Sequence, residues 1–222
     1  MSTEKTTISQ TKENDLFLQI RTAHRLLAAY YQRLLPTIDD IAKALSLTYY
    51  GWLPDHFDRP CKFGTDIFSK WQWDLLPGNC THYIYFDGSN ANKIEKGHYL
   101  LEFFVISDSG IDTAMEEENR QQPDALNLPV PVEQATSVLR VGLYAPYRNR
   151  KANWYDDLYN QCDHPEWTET PDAQKVAGNV GCYISGFEIP LAELIENDAV
   201  ESISKRINEY KQYLFDVVEG GG

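Results

Sequence analysis

Residues 98–106 read His98-Tyr99-Leu100-Leu101-Glu102-Phe103-Phe104-Val105-Ile106, an aromatic and aliphatic run interrupted by one carboxylate. A strand that is apolar on both faces belongs in the middle of a sheet, with a layer packed on either side. Three more runs, 82–86, 137–145 and 181–189, carry the same strand signals. In the run 137–145, Leu139, Val141 and Leu143 alternate with Arg140 and Tyr144, which predicts one face toward water.

Helical periodicity frames these runs. Leu16, Ile20, Ala23, Leu27, Tyr30 and Leu34 recur at steps of four and three, widened by Phe17, His24 and Tyr31, and predict a long amphipathic helix laid on the sheet. Pro36 should end it, and Thr37 with Asp40 should cap a second, short helix through Leu47. Near the C-terminus Val200, Ile203, Ile207, Tyr210, Leu214 and Val217 form a narrower seam, suited to the first helix or to its own copy in a homodimer. Helix, helix, four strands and helix without regular βα alternation predict an α+β fold with a mainly antiparallel sheet of four or more strands. The expected organisation is one domain over 15–218, with tails at 1–14 and 219–222. Segments 49–79 and 146–180 read as irregular. Segment 107–136, with seven acidic residues and one Arg, reads as an acidic loop.

Charge and composition exclude several functions. Lys and Arg number 20 against 33 Asp and Glu, a net charge of -13, so a general nucleic-acid binder is not expected. At 13% aromatic the chain is no disordered polymer. The polar residues 1–15 lack the apolar centre of a secretory signal, and no apolar run approaches the ~20 residues of a membrane span. A cytoplasmic, membrane-free protein with reduced Cys61, Cys80, Cys162 and Cys182 is the expectation.

The candidate chemistry is sparse. Two Cys-x-His pairs, Cys80 with His82 and Cys162 with His164, offer two thiolates and two imidazoles, a set that favours zinc. In extended chain the members of each pair point the same way, so each could chelate from its own segment. His164-Pro165-Glu166 lacks the Pro-Cys-x-x-Cys half of a zinc-deaminase signature. Segment 37–48 resembles the first helix of a helix-turn-helix, but Gly51 and Pro54 break the recognition helix that should follow. Asp87, Glu102 and Asp108 could form a nuclease-like carboxylate set, although Phe104 stands where its lysine belongs. Glu102 needs a partner if buried, and Arg140 is a candidate. Arg148, Arg150, Lys151 and Trp154 form a basic-aromatic cluster fit for a ligand or partner. Signatures of hydrolases, nucleotide binding and zinc proteases are absent.

The leading expectation is therefore a non-catalytic regulatory protein, of inhibitor, immunity or chaperone type. It would bind a basic protein partner through the cluster at 148–154 and through Glu116, Glu117 and Glu118. The alternative is a metal-dependent enzyme, with zinc at the paired Cys-x-His or another divalent ion at the carboxylates.

Overall fold

The computed structural model describes residues 3–116 and 122–220. The fold is α+β. Strands β1 (Thr48–Pro54), β2 (Cys80–Phe86), β3 (Leu100–Ile106), β4 (Val138–Pro146), β5 (Gln174–Lys175) and β6 (Cys182–Pro190) form one antiparallel sheet in the order β1-β2-β3-β4-β6-β5. Helices α1 (Thr3–Ala44) and α3 (Ala199–Gly220) lie on one face, and a short helix α2 (Ser109–Glu116) follows β3. No described helix is long and apolar enough to cross a membrane.

Every residue of β3 is buried, as its two-faced apolar run requires. Leu101, Phe103 and Val105 join β4 and β6 side chains beneath Leu34, Ile38 and Ile41 of α1 and Ile203, Ile207 and Leu214 of α3. The C-terminal seam is thus used within the chain. On the opposite face Leu100, Tyr144 and Ile184 are covered by Trp154, Leu158 and Tyr159 from the long segment before β5. That cover corrects the expected wet face of β4, where only Val138 and Arg140 keep partial exposure.

The sequence reading missed β1 because Gly51 and Pro54 look like breakers. They sit in an edge strand whose register slips between Tyr49 and Gly51, and an edge tolerates both a bulge glycine and a terminal proline. The acidic segment also differs from its reading. It contains α2, Ile111 packs with Phe57 and Trp73, and Trp73 Nε1 donates to the Pro123 carbonyl at 2.8 Å.

The largest correction concerns α1. It is one helix through Pro36, beginning where a tail was expected. Proline removes one i→i−4 hydrogen bond and crowds the preceding turn, at about 3 kcal/mol. Burial of Leu34, Ile38, Ile41 and Ala42 on the sheet offsets that cost, at about 1.5–3 kcal/mol for each of the larger side chains. At about 1.5 Å per residue the helix is far longer than strands of about 3.3 Å per residue and 7 to 9 residues. Its first half therefore leaves the sheet, and Leu16, Phe17, Leu18, Ile20 and Leu26 stand exposed instead of packed.

Pro36→Ala should stabilise the fold by up to about 3 kcal/mol, since the packing that carries the helix through residue 36 is already present. Urea denaturation measures this. A loss of stability would mean that α1 depends on a proline distortion.

Candidate functional site

The site forms on the sheet face away from α1 and α3. Residues two apart on a strand share a face, so His82 on β2 and Glu102 and Phe104 on β3 project together. Register sets His82 opposite Phe104 and Glu102 opposite Ile84 on one side and Gly142 on the other. Gly142 in turn faces Gly186 on β6. These two glycines leave a trough. A Cβ at 142 would stand 2.9 Å from Glu102 Oε2, and one at 186 would stand 2.7 Å from the rings of Pro165 and Trp167. Segment 164–168 settles into the trough, Thr168 donates its N–H to the Gly186 carbonyl at 3.1 Å, and His164 comes down onto Glu102.

Glu102 has no solvent exposure. Its Oε1 accepts from His82 Nδ1 at 2.5 Å and from the Tyr159 hydroxyl at 2.6 Å. Its Oε2 accepts from the Tyr144 hydroxyl at 2.7 Å and faces His164 Nδ1 at 3.4 Å. The other nitrogen of His82 lies 3.5 Å from Asp55 Oδ1. The His82 ring is stacked on Phe104, centroids 4.0 Å apart, and lies parallel to His164 at 5.5 Å. The His164 side chain is 48% exposed, so the cluster reaches solvent there.

Burial alone would raise the Glu102 carboxyl, but the imidazoles of His164 and His82 outweigh it and hold it far below the usual carboxylate range. Burial would likewise lower His82, yet the hydrogen bonds it donates to Asp55 and Glu102 raise it from 6.5 to about 9. Burial opposes ionisation of Asp55 too, and His82 and His56 overcome it. Tyr144 and Tyr159 are pushed well up by burial and by the Glu102 charge, so both remain phenols that donate. The cluster is an imidazolium between two carboxylates, with a second imidazole at the surface.

Two groups of metal-ligating side chains occur among the described residues: His82 with Glu102 and His164, and His56 with Cys80 and Asp112. The expected four-ligand set is therefore redrawn. His82 and His164 do meet. Cys80 falls in the other group, and Cys162 lies beside Cys182, so the two thiols and two imidazoles do not converge. The carboxylate set also separates, because Asp87 and Asp108 flank opposite ends of β3, about 20 Å apart at about 3.3 Å per residue. Arg140 does not serve Glu102; its Nε donates to Glu188 at 2.8 Å while its guanidinium lies over Phe104 and Trp167.

The basic-aromatic cluster is mostly spent on structure. Trp154 is fully buried and donates to the Lys93 carbonyl at 3.0 Å. Arg148 donates to the Asn179 carbonyl, and Arg150 donates to that of Asp157 at 2.8 Å. Lys151 is exposed. Of the acidic trio, Glu116 ends α2, whereas Glu117 and Glu118 lie outside the described residues. Asp55, Tyr144 and Tyr159 were missed by sequence reasoning.

The family described as PM0109 matches residues 10–213. This chain belongs to that family. It is similar to uncharacterized protein PM0109 of Pasteurella multocida (strain Pm70), at 24% identity over 204 residues, covering 88% of this chain and 92% of that protein. No solved structure matches. The family match spans every element that builds the cluster.

With chelator present, the raised His82 contributes stability that is complete below pH 6.5 and is lost as pH rises to about 9. The lowered Glu102 and Asp55 contribute stability above their ordinary values of 4.5 and 3.8, lost as pH falls further. Metal-free protein should thus be most stable between about pH 5 and 6.5, and His82→Gln should flatten the alkaline decline. Urea midpoints across pH read this out, and an alkaline slope unchanged by His82→Gln would disprove the assignment. Glu102→Gln should cost about 3–5 kcal/mol, because it leaves the buried imidazolium without its closest counter-charge.

Proposed function

We propose that this chain is a metal-dependent enzyme in which His82, Glu102 and His164 hold one divalent transition-metal ion. The observation that supports it is the convergence of two imidazole nitrogens and one carboxylate from β2, β3 and a distant loop. A His2Glu donor set suits zinc and its neighbours, and three protein ligands leave a position for water or substrate, as catalytic centres do. Among the residues expected from sequence, His82 and His164 are kept, and Glu102 takes the place of Cys80 and Cys162.

The surrounding side chains fit this role. Asp55 faces the far nitrogen of His82, the carboxylate–histidine arrangement that fixes the ring of a ligand. Tyr144 and Tyr159 fix the Glu102 carboxylate from either oxygen. A bound ion would supply Lewis acidity and an activated water, chemistry that suits hydrolysis. Substrate would approach past the half-exposed His164, beside Trp167 and Arg140. Four free cysteines, Cys61, Cys80, Cys162 and Cys182, support a reducing, cytoplasmic setting.

A second reading, protein binding, is favoured by a different observation: the large apolar side chains that α1 leaves exposed. It requires no metal.

Elemental analysis of untagged protein separates the two readings. About one equivalent of metal is expected, falling to traces in His164→Ala, whose exposed side chain can be removed without emptying the core. Binding should also raise the melting temperature of stripped protein in a concentration-dependent way. Absence of metal both as purified and after incubation with Zn2+, Fe2+ and Mn2+ would overturn the enzyme proposal.

A further inference from the structure

The free half of α1 and an apolar groove on the same chain are complementary, and we infer that they pair between two copies in an antiparallel, two-fold dimer. The groove encloses about 710 Å³ and is lined by the sheet-packed half of α1, the edge of β1 and β2, and the turn at 75–78. Its helix wall carries Tyr31, Leu35 and Asp39; Trp52, Leu75 and Leu76 form the opposite side. The last three are about half open to solvent.

The same line along the helix continues into the free half. One heptad before Tyr31 and Leu35 stand His24 and Ala28, and two heptads before stand Phe17 and Arg21. The line therefore begins with an exposed aromatic and a cation and ends with an anion. Residues 15–29 leave the sheet and residues 30–44 cover it; each stretch spans about 22 Å at 1.5 Å per residue, and the helix continues beyond the first of them to Thr3. A two-fold axis near residue 30 lays each free half along the groove of the other copy.

Charge supports this pairing. The free half carries Arg21 and Arg25, while the groove is rimmed by Asp39, Asp40 and the Lys43 that pairs with both, a rim of net negative charge. Antiparallel alignment about residue 30 sets each Arg21 level with Asp39 of the second copy, twice over by symmetry. A parallel placement of the free half on the groove would be head-to-tail and would not close into a two-fold dimer. An unrelated partner would need to match both an apolar helix face and an acidic-rimmed groove, whereas a second copy of this chain supplies both.

Sedimentation equilibrium of the full chain at micromolar concentration tests the inference. The expected mass is twice 25.5 kDa. Ile20→Asp should return the monomer with the circular dichroism of the sheet retained. Arg21→Glu should weaken dimerisation at least tenfold, and Arg21→Glu combined with Asp39→Arg should restore it. A monomeric wild type, a dimer indifferent to Ile20→Asp, or association that appears only with a different protein would overturn the inference. Rescue by the charge swap would establish the antiparallel register.

Discussion

A carboxylate with no access to water governs this fold. Burying an ionised Glu102 among β-strands is affordable only if protein donors replace its hydration, and four groups surround it: His82, Tyr144, Tyr159 and His164. They come from β2, β4 and the segment between β4 and β5. The requirement pulls segment 146–180 over the sheet, and Gly142 and Gly186 make the room it needs. Ion clusters of this kind contribute little net stability compared with a well-packed apolar core.

The sheet core was legible in the sequence because β2, β3, β4 and β6 carry dense apolar patterns that only a covered sheet satisfies. The helix seam of α3 was legible for the same reason, and Ile203, Ile207, Tyr210 and Leu214 are buried as its spacing requires. What failed were local rules overridden by tertiary burial. Pro36 did not end α1, because Ile38 and Ile41 are anchored beyond it, and Gly51 with Pro54 did not exclude a strand, because an edge has unpaired positions to spare.

The site was half legible. His82 and His164 stood out through the repeated Cys-x-His, and Glu102 stood out as a carboxylate in an apolar run. The error was to complete the set with neighbours in sequence. Cys80 and Cys162 lie two residues from the histidines, yet the carboxylate that meets both imidazoles comes from the adjacent strand, and sequence spacing carries no information about strand pairing. One signal was available: glycines inside strands often mark a close approach of another segment, and Gly142 and Gly186 mark where segment 164–168 descends. Tyr159 and Asp55 sit in stretches without periodicity, so nothing in their pattern announced them. The same division applies to α1, whose apolar stripe was read correctly as a stripe and wrongly as entirely sheet-bound.

The central claim is that Glu102 and two histidines form one metal centre. X-ray absorption at the metal edge of zinc-loaded protein tests it most directly. The expected coordination is two imidazole nitrogens near 2.0–2.1 Å and oxygen donors near 2.0–2.2 Å, without sulfur. A shell containing sulfur near 2.3 Å, or a spectrum of zinc bound only by water, would contradict it.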